Sequence, residues 1–314
     1  MEGPAGGSPL LPPGAGGSGG GSTGVGAATD PGRITLHRLN RSEYDNSVRD
    51  LLDTSLAPSR DFPIDDRGGG FDNMADVLTL SPLHLSVYLT AAKALVSEAL
   101  GNPAQRAKIL SCDLVTQGET CAKEALHGFA YRAWRRPVTD DELTRLTATA
   151  NVAIANGDSY EQGLTLALRA VLLSPNFIFR VELDPVPTSL EPHPLSPYEL
   201  ASRLSYFLWS STPDTELLES AASGALSTPA TLQQQATRLL ADTRARALID
   251  NFAGQWLHLR AIDTLQPDPT AFPNVDDALR TSMRQESERL FQDIAFEGTP
   301  LLALLTANYT YVND

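Results

Sequence analysis

Helix-start signals recur along the whole chain and constrain its fold more than any other feature. A Ser or Thr is followed by Pro at 81–82, 174–175, 196–197, 212–213, 228–229 and 299–300. A hydroxyl at the N-cap accepts a hydrogen bond from a free backbone amide, and Pro fits the first helical position. Capping boxes pair Asn40 with Glu43, Thr139 with Glu142, Ser159 with Gln162 and Ser196 with Glu199. These signals predict an all-α fold.

The periodicity of apolar residues places the helices. We predict about ten helices in two or three packed blocks. They lie near residues 41–52, 82–100, 120–135, 140–155, 160–173, 197–210, 213–223, 229–241, 243–259 and 275–297. Alternating strand patterns are scarce, and only NFIFRVEL at 176–183 suits a strand, although it equally suits a helix extension.

Composition divides the chain into a tether and three helical blocks. Residues 1–32 are dominated by Gly, Ser and Pro, a composition that predicts a disordered tether. Pro-rich or polar linkers are predicted at 101–119 and 184–195. The three blocks are therefore 33–100, 120–183 and 195–314, and we expect the native chain to extend beyond both ends of this sequence.

The charge balance argues against two classes of partner. The formal net charge is −14 at pH 7. Nucleic-acid binding requires a basic surface that displaces counterions, and anionic membranes attract basic segments. No stretch has the length and apolarity of a transmembrane helix. We therefore expect neither nucleic-acid binding nor membrane insertion.

The two cysteines, Cys112 and Cys121, are separated by a polar loop that contains Gly118. In an exported protein this arrangement predicts a disulfide. Two free thiols are the first alternative. A metal site that includes His127 is the second, although zinc sites usually have closer cysteine pairs and four ligands.

A Gly-rich acidic loop and an arginine-rich helix end are the candidate cleft residues. The loop lies within residues 61–76, and its polar members are Asp61, Asp65, Asp66, Asp72, Asn73 and Asp76. Carboxylates on such a loop can bind Ca²⁺ or share a proton, but the EF-hand spacing is absent, and Asp and Asn also stabilise turns. We expect no metal site. The helix end carries Arg132, Arg135 and Arg136, which suit either an anionic ligand or a charged helix corner beside acidic neighbours.

The remaining motifs give little support to an enzyme. Tyr206, Phe207, Trp209 and Trp256 suit a sugar-stacking platform, but aromatic residues at helical spacing usually form the core. Outside the Gly-rich residues 1–32 GxSxG does not occur, and SxxK, HExxH and the CxxCH haem-attachment motif are absent from the sequence.

Three pairs of sequence stretches carry a family resemblance. They are HRLNRSEYDNSVRDLL with GFDNMADVLTLSPLHLSVYL, CAKEALHGFAYRAWRRPVTDDEL with LLSPNFIFRVE, and LSPYELASRLSYFLW with DNFAGQWLHLR. Together they resemble the large exported cytochrome-c-associated proteins of planctomycete and myxobacterial type, which contain tandem helical domains of unknown function. The resemblance covers nearly everything after the tether.

The resemblance implies a location and partners. It implies export to the periplasm or the cell exterior, with the tether as a surface attachment. It also implies further domains of the same polypeptide downstream, one of them with a c-type haem, and a redox partner. No cofactor is expected in this chain itself. We therefore expect a non-catalytic helical scaffold or interaction module. The alternative is a catalytic domain, for polymer or polysaccharide degradation or for oxidoreduction coupled to the haem, whose cleft would join Asp65, Asp72 and Arg135.

Overall fold

The computed structural model describes residues 36–186, 189 and 191–312. The predicted tether at 1–32 lies outside the described residues. The described chain is mostly helical, with one short pair of strands, so the predicted all-α class is confirmed.

The helices follow one another along the chain, with the longest connection between α1 and α2 among the described residues. The α-helices are α1 (Arg41–Leu52), α2 (Pro82–Gly101), α3 (Pro103–Ile109), α4 (Leu114–Trp134), α5 (Asp140–Ala155), α6 (Tyr160–Leu173), α7 (Pro175–Ile178), α8 (Pro197–Trp209), α9 (Thr215–Ala222), α10 (Pro229–Ala241), α11 (Gly254–Trp256), α12 (Asp277–Phe296) and α13 (Ala303–Thr306). Short 3₁₀ turns and one π-helix, Leu248–Ala253, complete the set.

The predicted caps start the helices. Asn40, Ser81, Thr139, Ser159 and Ser196 each accept a hydrogen bond from the backbone amide three residues later and form a capping box. Each cap satisfies an amide that the helix itself leaves without an acceptor. The helix starts therefore follow from local sequence.

Two three-residue strands form an antiparallel pair. Strand β1 (Leu36–Arg38) pairs with β2 (Phe179–Val181). The register places His37 opposite Arg180 and Arg38 opposite Phe179. The 176–183 segment thus combines both predicted forms, since helix α7 ends at Ile178 and β2 follows directly. The pairing joins the first predicted block to the second.

The first two blocks share one hydrophobic core. Helices α1, α2, α4, α5 and α6 contribute to it, with Leu95, Phe129 and Leu168 fully buried, and Tyr206 of α8 enters it from the third block. Helices α5 and α6 approach closely at Gly163, where an added Cβ would lie 2.7 Å from a backbone oxygen of α5. The third block has its own core around Trp209.

Two regions differ from the sequence prediction. The linker predicted at 101–119 contains α3 and the start of α4, because Asn102 and Asp113 cap these helices. The continuous helix predicted at 243–259 is divided into a 3₁₀ turn, the π-helix and α11. It ends at His258, which has a left-handed backbone conformation. At the end of the π-helix, the Gly254 backbone amide donates a hydrogen bond to the carbonyl of Ile249, five residues earlier in the chain.

Candidate functional site

The strand pair and the start of α1 place charged side chains inside the protein. Glu43 lies in the first turn of α1 and is buried, and its carboxylate accepts the Asn40 backbone amide in the capping box. Arg180 of β2 lies 3.6 Å from the Glu43 carboxylate. Its guanidinium also lies over the ring of Tyr206, 5.0 Å from the centroid. A buried carboxylate is thus paired with a cation from another block.

Asp65 of the acidic loop connects two parts of the first block. Its carboxylate is 2.7 Å from Arg38 and also accepts the backbone amide of Arg41, at the N-terminus of α1. Arg38 donates a second hydrogen bond to the hydroxyl of Tyr88. The positive end of the helix dipole favours a carboxylate at this position. Both Asp65 oxygens therefore have protein partners.

Asp72 links the acidic loop to the third block. One carboxylate oxygen accepts from the Asn40 side chain at 2.8 Å, and the other is 2.6 Å from Arg260. The Asp72 backbone amide donates to Gln255 at 2.7 Å. Asp72 is thus a bridge between blocks.

The other polar members of the loop do not join this bridge. Asp61, Asp66 and Asp76 are exposed, and Asn73 is partly buried. Among the described residues, no group of three or more His, Cys, Asp or Glu side chains has an arrangement suited to a metal ion.

The three arginines of the predicted corner have separate environments. Arg135 is buried and donates to the carbonyls of Asn176 and Phe179 at 2.8 and 2.7 Å. Arg136 pairs with Glu142 at 2.8 Å, and this bond, first among the causes, lowers the pKa of Glu142 to about 2. Arg132 donates to the carbonyl of Lys108.

We call Arg38, Glu43, Asp65, Asp72, Arg135 and Arg180 the buried charge network. Burial raises the pKa of Glu43, and Arg180 opposes this shift. Burial, together with the positive charges of Arg180 and Arg38, lowers the pKa of His37 to about 3. Burial lowers the pKa of Arg135, and Tyr206 and the Glu43 carboxylate oppose this shift. The network thus brings the predicted cleft residues near Glu43, with Asp65 and Arg135 buried and Asp72 partly buried.

The cysteines form the predicted disulfide. Cys112 and Cys121 are bonded, with their Cα atoms 5.7 Å apart. Gly118 between them has a positive φ of 53°, which interrupts the helical geometry of α4 and lets the loop close. The free-thiol and metal interpretations, the latter with His127, are therefore wrong.

A polar cleft separates α1 from the segment 243–251. Its volume is about 530 Å³, and Ala247 is its only apolar lining residue among those described. The α1 side contributes Ser42, Asp45, Asn46 and Arg49, and the opposite side contributes Thr243, Arg244, Arg246, Asp250 and Asn251. The second side includes part of the π-helix, and single π turns are frequent at functional sites.

An aromatic stack involves the same helical segment. Phe252 follows the cleft residue Asn251, and its ring stacks on Phe71 at 6.0 Å and on Trp256 at 5.7 Å between centroids. Trp256 is 46% exposed. By contrast, Tyr206 and Trp209, which the sequence offered for a sugar platform, are buried in the cores.

The sequence pattern does not identify the cleft residues or Glu43 as parts of a site. Glu43 was recognised only as part of a capping box, and Arg180 lies in the predicted strand. The segment 243–251 was interpreted as part of a continuous helix. A signal was present in the alternation of charged and apolar residues in RARALIDN, but this pattern also fits a solvated helix face.

Comparison with known families divides the described chain into three parts. Residues 37–101 match PSD3, a protein of unknown function (DUF1587). Residues 121–182 match PSD5, a protein of unknown function (DUF1595), and residues 195–314 match PSD4, a protein of unknown function (DUF1592). No curated protein and no solved structure matches the chain. The chain thus contains three tandem domains of unknown function. None of its described helices combines the length and apolarity required to cross a bilayer.

Proposed function

We propose that this chain is a non-catalytic helical scaffold that holds its three domains in a fixed arrangement. The proposal rests on one observation: polar side chains connect the domains at buried positions. Tyr206 of the third domain bonds Ser47 of the first at 2.8 Å and Arg135 of the second at 3.3 Å. Buried bonds of this kind require their partners to remain in place, because an unpaired polar group in the interior is costly.

The same contacts weaken the catalytic alternative. A catalytic cleft would need the carboxylates of Asp65 and Asp72 to face a substrate. Instead, both oxygens of each carboxylate have protein partners, and Arg135 donates to backbone carbonyls. Groups that satisfy one another in the interior suit a structural role better than acid–base chemistry.

The scaffold is proposed to belong to a larger exported protein with a c-type haem. Two observations support this placement: the sequence resemblance to cytochrome-c-associated proteins and the disulfide, because disulfides persist in oxidising compartments. The proposed location is the periplasm or the cell exterior, with surface attachment through the tether. The proposed partners are further domains of the same polypeptide and a redox partner.

Calorimetric unfolding tests the scaffold. We expect one cooperative transition for the three domains, because a shared core and the Tyr206 bonds couple them. Tyr206→Phe removes the hydroxyl at the junction and should lower the transition temperature. The matched control is Tyr198→Phe on the same helix, whose hydroxyl lies outside the buried network. Two or more separate transitions in the unmodified protein would contradict the proposal.

Haem attachment tests the placement separately. The chain has no CxxCH motif, and its two cysteines are bonded to each other. We expect that the protein extended through the native reading frame beyond Asp314, and produced with the haem-attachment machinery, has a covalent c-type haem spectrum. An extended protein that takes up no haem would refute the haem association and leave the scaffold proposal standing.

A further inference from the structure

A groove separates helix α4 of the second domain from helix α9 of the third domain. Its volume is about 350 Å³, which is within the range of small-molecule sites, and such sites often lie between domains. Ala125 of α4 and Leu218 of α9 are buried in its walls, and Ile109 at the end of α3 also lines it. These apolar side chains suit an aliphatic chain.

Gly128 keeps the middle of the α4 wall open. It lies inside α4 with helical backbone geometry, where glycine costs about 1 kcal/mol relative to alanine. A Cβ added at Gly128 would meet no atom within 4 Å. The packing of the helices therefore does not require a glycine, because there is room for a side chain. A ligand that lies against the helix backbone does require this space.

Carboxylates lie on both sides of Gly128 along the groove. Glu124 precedes Gly128 by one turn and lines the groove from the same face of α4, and Tyr131 follows on that face. Burial and the neighbouring Tyr198 raise the pKa of Tyr131 to about 12, and the nearby carboxylate of Glu219 on α9 contributes. Glu219 also lines the groove. Since Glu124 and Tyr131 are about 10 Å apart along the helix axis, the two carboxylates mark separate ends.

The groove has more negative than positive charge that the protein leaves unpaired. In the described part of the chain, no ion pair or hydrogen bond joins the carboxylate of Glu124 or Glu219 to another residue. Lys108 of the lining is paired with Asp53 at 2.6 Å. Arg132 donates to backbone carbonyls. Two carboxylates thus face one unpaired cation, in a chain of net charge −14, and this balance complements a cationic ligand.

A linear aliphatic diamine matches each of these features. An ammonium group at either end meets a carboxylate, and such charge-assisted hydrogen bonds are stronger than neutral ones. The methylene chain between them passes over Gly128 and against Ala125 and Leu218. A groove of this volume holds a small molecule, whereas a basic protein segment requires a larger surface. We propose that the groove between α4 and α9 binds a free aliphatic diamine or polyamine, with one ammonium group on Glu124 and another on Glu219.

Isothermal titration calorimetry on the 314-residue chain tests the proposal. The probes are 1,8-diaminooctane and spermidine, and 8-amino-1-octanol has a similar length but a single ammonium group. The peptide N-acetyl-Lys-Gly-Lys-amide represents the side chains of a basic protein segment. We expect both amines with two terminal ammonium groups to bind at low ionic strength, and 8-amino-1-octanol to bind at least about fivefold more weakly.

Gly128→Leu separates the space in the groove from the stability of the helix. Leucine is a good helix former and has open space at this position, so the variant should keep or raise the melting temperature while it fills the groove. We expect it to weaken diamine binding by about tenfold or more. Gly101→Leu is the matched control and should leave binding unchanged, because Gly101 ends α2 outside the groove and also has open space.

Two charge variants locate the ammonium groups. Glu124→Gln and Glu219→Gln each remove one negative charge with little change of shape, and each should weaken diamine binding by about fivefold. Glu119→Gln is the control, because Glu119 is exposed on α4 outside the groove and its replacement changes the net charge equally. Its effect on diamine binding should be less than about twofold, because solvent screens a distant exposed charge.

Three results would overturn the proposal. The first is diamine binding that Gly128→Leu leaves unchanged, which would place the amine elsewhere. The second is an equal loss of binding in Glu119→Gln and Glu124→Gln, which would show only a general attraction to an acidic protein. The third is no binding of either free amine at about 10 mM, whether or not the peptide binds. None of these results bears on the scaffold, whose test is cooperative unfolding.

Discussion

Replacing Arg135 by Met should destabilise the protein more than any other change at the predicted arginine corner. The Arg135 side chain is 3% exposed. It donates to the carbonyls of Asn176, Phe177 and Phe179 at distances between 2.7 and 3.4 Å. Methionine has a similar length but no donor. Arg135→Met therefore leaves these carbonyls without their guanidinium partner while largely preserving the volume.

The magnitude follows from these lost bonds. A buried acceptor that loses its donor costs about 1–3 kcal/mol. Three carbonyls at the lower end of this range give about 3–5 kcal/mol. Removing the guanidinium also relieves its own desolvation, which lowers the pKa of Arg135. We therefore expect a loss near the lower value, about 3 kcal/mol, against a total stability of about 5–15 kcal/mol.

Urea unfolding followed by far-UV circular dichroism measures this loss. With a denaturant dependence of about 3 kcal/mol per molar urea, the midpoint should fall by about 1 M. Arg136→Met is the matched control. Its ion pair with Glu142 is partly exposed, so its loss should cost under about 1 kcal/mol. Equal midpoint shifts for the two variants would show that the carbonyl contacts of Arg135 contribute nothing special.

Three further predictions concern helix packing, the disulfide and pH. Gly163→Ala should destabilise the protein by about 1 kcal/mol or more, because the added Cβ would meet a backbone oxygen of α5. Gly128→Ala is the control and should stabilise slightly, because an added Cβ there meets open space. Equal urea midpoints for the two variants would refute this prediction. Replacing Cys112 and Cys121 by Ser should cost about 2–3 kcal/mol, and an unchanged melting temperature would contradict it. The folded pKa of His37 is about 3, against an ordinary histidine pKa of 6.5. The free energy of unfolding should therefore fall as pH decreases from 6.5 towards 3, by about 2 kcal/mol near pH 5. His37→Gln should remove this dependence.

The helix boundaries were predictable because their signals are local. A cap and its partner lie three residues apart, so the sequence contains the whole interaction. The same logic would have found α3, since Asn102 precedes Pro103 as Ser81 precedes Pro82. Only the restriction to Ser and Thr before Pro hid it. The Asn102–Pro103 pair therefore carries the same local signal as the predicted caps.

The interruption of the helix at 243–259 had a weaker signal. A π-helix changes the hydrogen-bond register by one residue, and the apolar spacing of Ile249, Phe252 and Trp256 fits either register. A side chain supplies a hydrogen bond within this segment: the side-chain amide of Gln255 donates to the carbonyl of Asn251. This replacement depends on three-dimensional contacts, which the periodicity of one helix does not contain.

The partners of the candidate residues were out of reach for a different reason. The acidic loop and the arginine corner were recognised, but their partners lie far away in sequence. Asp72 and Arg260 are 188 residues apart, and Arg135 and Phe179 are 44 apart. Charge complementarity alone allows many such pairings. Packing of the blocks selects among them, and a single sequence does not specify that packing directly.

The pairing of β1 with β2 decides which charges meet in the buried charge network. A slip of one residue between β1 and β2 would turn Arg180 to the opposite face and leave Glu43 buried without its cation. The network therefore fixes where the second block meets α1. On the other side, Ser211 donates to Asp50 at 2.6 Å and Arg260 binds Asp72. The first contact connects α1 to the third block, and the second connects the acidic loop to it. The scaffold proposed for this chain needs these partners to remain in place, because a buried polar group that loses its partner is costly.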